Sequence, residues 1–361
     1  MHAKIVVLPS DGIGQEVTRE AVRVLDAIQD IYGHRFEYEY ALVGGVAIDE
    51  RGTALPQETL DLCRQSEAIL FGASGGPKWD NLPSPERPER ALARIRKELD
   101  LFVNLRPIRA RKALAPVLPV KESIVGDGLD FVVIRELCGD IYYGEPRGIE
   151  KHDDGERGFN TMSYTTREID RVVRAGFELA RKRSKRLTSV AKENMIETSK
   201  LWRDVAVKVA MDYPDVALNH VLIDACAYHI IRNPSQFDVI VTGNIFGDII
   251  TDEAGALVGS LGMCPSASYG HKKQGLYEPI HGTAPDIAGK GIANPIGAIL
   301  SAALLLRHSF DLEAEARVIE DAVDRVIETG YRTADIQQDG MRTVGTVEMT
   351  DAILEELRQA V

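Results

Sequence analysis

Two carboxylates stand four residues apart in the stretch VIVTGNIFGDIITDEAGAL. Its β-branched start predicts a buried strand, Gly243 and Asn244 end that strand, and a helical period follows. Asp248 and Asp252 would then share one helix face, where like charges at this spacing repel by roughly 0.2–0.5 kcal/mol. The pair therefore needs solvent, a basic partner or a bound cation. Taken alone, the spacing favours an ordinary solvated face over a cation site.

Three arginines could form a second chemical group. Arg96 is expected at the end of a helix, Arg106 at the end of the strand that follows it, and Arg135 at the end of another strand. Each of them separately is typical of a protein surface. At one edge of a sheet, however, they would bind carboxylates, because arginine presents paired donors in bidentate geometry. Ligands of open α/β sheets bind at such strand ends.

Tyr142 in GDIYYG and Lys192 at the end of RLTSVAK could move protons. A tyrosine in such a run is more often part of the core, and a lysine after a strand is more often solvated. Beside arginines and a cation, the ammonium form of a lysine is disfavoured, so its pKa falls and it can act as a base near neutral pH. Asp224, at the end of the predicted strand HVLID, could join the aspartate pair, since hard divalent cations favour all-oxygen sites.

The elements that must position these residues alternate along the chain. Apolar runs such as KIVVLP, AILFGA, LFVNLRP and DFVVIRE are separated by amphipathic segments, the first from about Gln15 to Gly33. This alternation predicts an α/β fold. The polar segment GEPRGIEKHDDGERGFNTMSY lacks core periodicity. It is interpreted either as a surface loop or as a two-stranded arm exchanged between subunits, because long irregular insertions are often functional.

The turn SDGIGQEV follows a strand and opens a helix, as a dinucleotide fingerprint does. It supplies Gly12 and Gly14 but has Val17 at the third glycine position. No acidic residue closes a clear second strand about twenty residues later. A tight strand-to-helix turn is therefore predicted, rather than a Rossmann nucleotide site.

Composition narrows the class of protein. The 361 residues suffice for two lobes or one large α/β body. The net charge of −12 argues against a nucleic-acid or membrane-surface partner, because such partners require positive charge. The four cysteines form no CxxC or CxxxC pair, so neither a zinc site nor a disulfide framework is expected. With neither a leader sequence nor an apolar run of membrane-spanning length, a cytoplasmic protein is expected.

Together these residues resemble the β-decarboxylating dehydrogenases of the isocitrate/isopropylmalate dehydrogenase family, most closely its isopropylmalate branch. The resemblance runs through DGIGQEV, FGASGGPKWD, IRKELDLFVNLRP, RELCGDIYYGEPRG, NPSQFDVIVTGNIFGDIITDEA, GSLGMCPSAS and YEPIHGTAPDIAGKGIANP, almost to the C-terminus. It implies NAD-dependent oxidation at the C2 hydroxyl of a 3-substituted malate and loss of the C3 carboxylate as CO₂, with Mg²⁺ or Mn²⁺ required. For the isopropyl substituent the product is 4-methyl-2-oxopentanoate, in leucine biosynthesis.

The same resemblance implies a fold and an assembly. The fold is α/β but not Rossmann, with two domains around a cleft. Residues 1–101 and 260–361 form the nucleotide-binding first domain, and residues 102–259 form the second, which carries the dimer interface and an arm at about 145–165. Members of the family form homodimers in which each active site takes residues from both subunits.

Roles for single residues also follow from the resemblance. The acid/base pair is Tyr142 and Lys192: Lys192, through water, takes the hydroxyl proton, and Tyr142 protonates the enol after CO₂ leaves. Lys192 and Asp224 come from the partner subunit. The metal ligands are Asp224, Asp248 and Asp252, and the cation acts as a Lewis acid. The substrate-binding residues are Arg96, Arg106, Arg135, Asp224, Leu92, Ala93 and Met195.

The loop EPIHGTAPDIAGKGIAN resembles the nucleotide-binding loop of the family. The implied cofactor-binding residues are Ile13, Glu278, His281, Gly282, Ala284, Asp286 and Asn294. Without the resemblance, ordinary loop chemistry would be the better interpretation of His281 and Asp286. Asp286 should accept hydrogen bonds from ribose hydroxyls and repel a 2′-phosphate, and neutral Ile287 offers that phosphate no counter-charge. NAD is therefore expected rather than NADP.

Some positions depart from the family pattern. The common SVDKANV reads SVAKENM here: Ala191 removes a carboxylate, Glu193 adds one, and Met195 replaces a valine of the alkyl pocket. Ala93 replaces the second of two usual leucines, whereas Leu92 keeps the first. These changes leave the chemistry intact but leave the 3-substituent open, so a benzyl- or long-alkyl-malate is the alternative substrate. Isocitrate is disfavoured, because isocitrate dehydrogenases carry an amide where Leu92 stands.

Two interpretations from other classes stay open at this point. A metal-dependent phosphohydrolase could also use an aspartate pair, but it would leave the nucleotide-binding loop unexplained. A non-catalytic dimer would explain only the arm.

Overall fold

The computed structural model describes residues 1–359, which fold as two compact units. The first unit comprises Met1–Leu101, Arg109–Gly128 and the chain from Gly255 onward, and the second comprises Phe102–Ile108 and Leu129–Ala254. These limits differ from the expected domain division in that residues 109–128 and 255–259 lie with the first unit.

The strands of residues 1–359 are, in chain order, β1 (His2–Ser10), β2 (Arg35–Tyr40), β3 (Ala68–Ala73), β4 (Val103–Ala110), β5 (Leu129–Glu136), β6 (Gly148–His152), β7 (Gly155–Phe159), β8 (Arg186–Ala191), β9 (Ala217–Leu222), β10 (Val239–Thr242), β11 (Pro265–Tyr269), β12 (Gly275–Pro279), β13 (Tyr331–Arg332) and β14 (Arg342–Thr343). The α-helices are α1 (Gly14–Tyr32), α2 (Gly45–Arg51), α3 (Gln57–Gln65), α4 (Glu89–Glu98), α5 (Glu122–Val125), α6 (Thr166–Arg181), α7 (Glu197–Ala210), α8 (Ile223–Arg232), α9 (Asn244–Gly255), α10 (Ile296–Phe310), α11 (Glu313–Glu328) and α12 (Thr346–Gln359).

The first unit is built on strands in the order β2–β1–β3–β12–β11. The strands β2, β1, β3 and β12 pair in parallel, and β11 is antiparallel to β12. Helix α10 is buried along nearly its whole length, which explains why GAILSAALLLRHSF is apolar on all sides. Helix α1 matches the predicted segment closely and ends at Gly33, whose φ of 69° is the left-handed conformation that terminates helices.

The second unit has the strand order β4–β5–β10–β8–β9, in which β5, β10, β8 and β9 run parallel. Parallel strands bring their carboxyl ends to one edge, and ligands of α/β sheets bind at such edges. Residues that follow β5, β8 and β10 therefore meet there. Helix α9 begins at this edge directly after β10, as the sequence predicts.

Two expected strand ends are wrong. Arg106 lies inside β4, because Pro107 removes one backbone donor without forcing the chain out of the extended conformation. Asp224 does not end a strand: β9 stops at Leu222, and Asp224 lies in the first turn of α8, where the helix dipole stabilises a carboxylate.

The polar segment after β5 contains a hairpin. Strands β6 and β7 pair antiparallel, from Gly148 opposite Phe159 to His152 opposite Gly155. Nearly every residue of both strands is exposed. Of the two interpretations, the two-stranded arm is the one observed, and its exchange between subunits stays a prediction.

None of the helices in residues 1–359 combines the length and the apolar character needed to cross a membrane.

Candidate functional site

The aspartate pair on α9 has basic partners within the second unit. The Oδ1 atom of Asp248 accepts a hydrogen bond from Arg135 Nη1, and its Oδ2 accepts one from the Tyr142 hydroxyl at 2.8 Å. Arg106 lies between the two carboxylates, with Nη2 3.7 Å from Asp248 Oδ1 and Nη1 3.5 Å from Asp252 Oδ1. The pair is therefore not a simple solvated face: two arginines and a phenol converge on it.

Both arginines are buried and held in fixed orientations. Arg106 donates through Nε to Asn104 Oδ1 at 2.8 Å and through Nη1 to Thr251 Oγ1 at 2.5 Å. Arg135 donates through Nε to Asn244 Oδ1 at 2.9 Å. These three neutral partners were missed from the sequence. A usable signal existed for Asn104, because an amide inside the apolar run LFVNLRP has to be hydrogen-bonded when it is buried.

The charges of this cluster shift the protonation of its members. Burial, and then the hydrogen bond to Asp248, raise the pKa of Tyr142 to about 12, so its hydroxyl stays protonated at neutral pH. Burial also raises the pKa of Asp252; the positive charge of Arg106 opposes this shift and the negative charge of Asp248 adds to it. A cation between the carboxylates would offset both burial and mutual repulsion. The donor set, all carboxylate oxygen, suits Mg²⁺ or Mn²⁺.

Lys192 and Asp224 form a second group in the same unit. Lys192 follows β8, and its Nζ lies 2.5 Å from Asp224 Oδ1. The hydrogen bond from Lys192 lowers the pKa of Asp224. Within residues 1–359, no set of three or more His, Cys, Asp or Glu side chains is placed to hold a metal ion. A single chain thus does not bring Asp224 to the aspartate pair.

Arg96 lies in the first unit, in the last turn of α4. Its Nη2 lies 2.6 Å from Glu278 Oε1, and both side chains are largely buried. Leu92 on the same helix packs against the core of this unit, and Ala93 beside it is half-buried. Met195, expected in the same pocket as Leu92 and Ala93, belongs to the second unit, and 77% of its surface is exposed in the single chain.

The loop predicted to bind the nucleotide, of which residues 281–294 follow β12, is held at its start by a contact within the first unit. Ile13 N donates to Thr283 O at 2.9 Å. His281 Nδ1 lies 2.8 Å from Gly282 O, an acceptor, so Nδ1 carries the proton. Burial lowers the pKa of His281, and Nε2 of the neutral ring is a buried atom with no hydrogen-bond partner in the described chain.

The loop is hydrogen-bonded at its far end, and side chains in its middle are exposed. Asn294 is buried; its Nδ2 donates to Asp335 Oδ2 at 3.1 Å and its Oδ1 accepts from Ile296 N at 3.0 Å. Ala284 adopts a positive φ of 38°, which is uncommon for a residue with a side chain. Asp286 is exposed. Asp335 was missed from the sequence, because nothing local in YRTADIQQ distinguishes it from an ordinary surface carboxylate.

Comparison with known proteins defines the class. Residues 4–353 match the sequence model of the isocitrate/isopropylmalate dehydrogenase family. The chain is similar to the 3-isopropylmalate dehydrogenase of Aquifex aeolicus, at 57% identity over 356 residues that cover 99% of this chain and 97% of the relative. It is also similar to that of Halalkalibacterium halodurans, at 51% identity over 361 residues, or 100% and 99% of the two chains.

Solved structures indicate the same family. An isocitrate dehydrogenase from Methylococcus capsulatus superposes with a TM-score of 0.88 at 32% identity, covering 99% of this chain and 100% of that one. A β-decarboxylating dehydrogenase from Thermococcus kodakarensis gives a TM-score of 0.80 at 34% identity, with 99% and 96% covered.

The chain therefore belongs to the isocitrate/isopropylmalate dehydrogenase family. It is an enzyme of the oxidoreductase class that acts on a small molecule. The predicted fold class, the α/β fold of this family rather than a Rossmann fold, is confirmed. The phosphohydrolase and non-catalytic interpretations are set aside.

Proposed function

We propose that this enzyme oxidises and decarboxylates (2R,3S)-3-isopropylmalate with NAD, giving 4-methyl-2-oxopentanoate and CO₂, as a step of leucine biosynthesis. The observation that carries the proposal is the convergence of Arg106, Arg135 and Tyr142 on Asp248. It occurs in a chain that is 51–57% identical, along its full length, to 3-isopropylmalate dehydrogenases.

Substrate carboxylates are bound by arginine. The guanidinium groups of Arg106 and Arg135 are buried, and neutral side chains fix their Nε atoms. Such preoriented donors bind a carboxylate with little loss of rotamer entropy. Arg96, whose orientation is set by Glu278, supplies the third guanidinium.

Tyr142 and Lys192 of the partner subunit handle protons. With a pKa of about 12, the phenol of Tyr142 holds its proton at neutral pH and can donate it to carbon after CO₂ leaves. Lys192 of the partner subunit takes the C2 hydroxyl proton through water. Asp224 Oδ1 accepts a hydrogen bond from Lys192 Nζ within one chain, so this carboxylate would stabilise the ammonium that results.

Asp248 and Asp252, together with Asp224 of the partner subunit, would hold Mg²⁺ or Mn²⁺. The raised pKa of Asp252 supports this assignment, because that carboxylate is partly desolvated beside a second one. The bound cation would supply Lewis-acid chemistry for the oxidation of the hydroxyl. The arginines keep the local charge balanced around these carboxylates.

NAD is assigned to the nucleotide-binding loop. Exposed Asp286 can accept from the two hydroxyls of the adenosine ribose, and neighbouring Ile287 is apolar. The buried acceptor Nε2 of His281 offers a partner to a donor on the nucleotide. Glu278 and Asn294 complete the polar groups of this region.

A homodimer with shared active sites is part of the proposal. The second unit exposes large apolar side chains, each more than 60% exposed in the single chain, which are Ile149, Met195, Met211, Tyr228 and Ile249. In the proposed homodimer the partner subunit would cover side chains of this surface. The enzyme is proposed to work in the cytoplasm, whose reducing conditions suit its four free cysteines.

The deciding experiment is an NADH-formation screen over isopropyl-, n-alkyl- and benzyl-malate with Mg²⁺ present. Isopropylmalate is expected to have the highest kcat/KM. A preference of about tenfold or more for benzylmalate, equivalent to about 1.4 kcal/mol, would refute this substrate.

The second candidate, a larger 3-substituent, is favoured by Ala93, which removes about three heavy atoms of pocket wall relative to leucine. Met195 is unbranched and adaptable enough to refill that space. If it does so, Met195→Val lowers kcat/KM for isopropylmalate by a few-fold, since each buried methylene contributes about 0.8 kcal/mol. If it does not, Ala93→Leu lowers activity on the longer substrates and raises it on isopropylmalate.

A further inference from the structure

Two glycines near the end of the nucleotide-binding loop point their backbone N–H groups at one carboxylate. Gly291 N donates to Glu16 Oε2 at 3.1 Å, and Gly289 N donates to Glu16 Oε1. Both oxygens of the Glu16 carboxylate thus accept hydrogen bonds from backbone N–H groups of the loop. Hydrogen bonds to an ionised acceptor are stronger than those between neutral groups.

The glycines are required by backbone conformation. Gly289 has a φ of 76° and Gly291 a φ of 65°, a left-handed region that residues with a Cβ rarely adopt. In the described chain, a Cβ added at either position would meet no atom within 4 Å. Lack of space therefore does not explain the pattern Gly-Lys-Gly, whereas the left-handed conformation that directs both N–H groups at Glu16 does.

Glu16 lies in the first turn of α1, directly after the tight turn SDGIG. The same turn also contacts the other end of the loop, where Ile13 N donates to Thr283 O at 2.9 Å. Between these two attachments lie Asp286 and Ile287, which the proposed function places beside the adenosine ribose. The stretch SDGIGQEV, which resembles a dinucleotide fingerprint, thus contacts the loop through the carboxylate of Glu16 and the backbone N–H of Ile13.

We propose that Glu16 is a positioning residue for the cofactor, which holds residues 283–291 in the NAD-binding conformation through the N–H groups of Gly289 and Gly291. This inference rests on the proposed function, because it takes NAD as the ligand of the loop. Preordering a binding loop lowers the entropy lost when the ligand binds. Loss of Glu16 should therefore weaken NAD binding and leave the chemical step unchanged.

An ordinary structural role would have a different signature. An acidic residue in the first turn stabilises a helix through its dipole, so Glu16 could act only on the stability of α1. In that case its removal would lower Tm without changing cofactor affinity. Asp30→Asn is the matched control, since it removes the same charge from the exposed opposite end of α1.

The test compares purified full-length wild type, Glu16→Gln and Asp30→Asn. NADH affinity is measured by fluorescence titration, and hydrogen exchange of residues 283–294 is measured without any cofactor. For Glu16→Gln we expect the Kd for NADH and the KM for NAD to rise about tenfold, kcat to stay within about twofold, and exchange of the loop to accelerate. Asp30→Asn should match wild type in all four measurements.

Variants on the loop side test the same contact. Gly289→Ala should reproduce the effect of Glu16→Gln, because alanine disfavours the left-handed conformation. Gly289→Asn should weaken NADH binding less than Gly289→Ala does, because asparagine tolerates that conformation better. The double variant Glu16→Gln/Gly289→Ala should bind NADH no more weakly than the worse single variant, since both remove one interaction.

Three outcomes would overturn the inference in distinguishable ways. Wild-type enzyme that binds neither NAD nor NADH refutes the proposed cofactor, and this inference with it. Wild type that binds NADH while Glu16→Gln binds it equally well, with unchanged loop exchange, refutes the role of Glu16 alone. Additive losses in the double variant would likewise show that Glu16 does not act through Gly289.

Discussion

Asp248 is the residue on which the charges of the second unit converge. It accepts from a phenol and from a buried guanidinium, and a second guanidinium lies within 3.7 Å. Because the arginines are nearly inaccessible to water, loss of this carboxylate would leave buried positive charge less well compensated. The same residue is therefore expected to matter for stability as well as for metal binding.

A neutral variant separates these two contributions. Asp248→Asn keeps an acceptor for Tyr142 but removes a proposed metal ligand, so kcat/KM is expected to fall by far more than about tenfold while the fold survives. Steady-state kinetics with Mg²⁺ and circular dichroism measure the two effects. Glu253→Gln on the same helix is the control and should stay active. Full turnover by chelator-treated wild type would show that no divalent cation is required.

Glu136 predicts a pH dependence of stability. Its carboxyl is inaccessible to water and accepts from Cys138 N at 2.9 Å and Gly139 N at 2.8 Å, and burial raises its pKa to about 7. Between the ordinary pKa of a glutamate and this value, the folded state binds more protons than the unfolded state. The free energy of unfolding should therefore fall as pH rises from 5 to 8, by up to about 3 kcal/mol from this group.

Urea unfolding of wild type and Glu136→Gln at pH 5 and pH 8, at one protein concentration, measures that contribution. The glutamine does not titrate, so the variant should gain stability relative to wild type as pH rises. Groups that titrate in both proteins cancel in this comparison. Equal pH slopes for the two proteins would mean that the carboxyl of Glu136 has an ordinary pKa.

At the scale of elements, the local sequence pattern predicted the buried strands and the helices. KIVVLP, AILFGA and DFVVIRE are strands because apolar runs of that length are buried on both faces, and α9 carries the aspartate pair on one face as its period requires. RFEYEY was not recognised as a strand, because most of its residues stay partly or fully exposed.

Contacts between distant segments could not be predicted in this way. The ion pair of Arg96 with Glu278 and the bonds of Glu16 to Gly289 and Gly291 join residues more than 180 positions apart. Single-residue patterns carry no information on which segments pack together. The resemblance supplied residue types for the site, but which neutral side chain orients which arginine follows only from the packed structure.

The nucleotide-binding loop predicts the choice of cofactor. Asp286 is exposed and Ile287 is apolar, so a 2′-phosphate would meet a like charge. We expect kcat/KM with NAD to exceed that with NADP by more than about tenfold. Asp286→Asn should narrow this ratio, because it removes the repulsion and weakens the bonds to the ribose hydroxyls. Comparable kcat/KM values for the two cofactors in wild type would contradict this role of Asp286.

At the scale of the whole molecule, the proposed catalytic side chains of a single chain form two separate groups. The Tyr142 hydroxyl donates to Asp248, Lys192 donates to Asp224, and no carboxylate cluster of residues 1–359 is placed to bind a metal ion by itself. Among residues 1–359, the large apolar side chains that are more than 60% exposed, which are Ile149, Met195, Met211, Tyr228 and Ile249, lie on the unit that carries both groups. These observations favour an active site that two copies of the chain complete together.

Shared sites make a prediction that independent sites do not. Lys192→Ala and Tyr142→Phe should each inactivate the homodimer, because every site then lacks one member of the acid/base pair. In a heterodimer of the two variants, one site takes intact Tyr142 from one subunit and intact Lys192 from the other, while the second site carries both lesions. Random subunit exchange should therefore restore about a quarter of wild-type activity. Native mass spectrometry of the mixture, beside the NADH-formation rate, checks that heterodimers form; inactive heterodimers would mean that both residues act within one chain.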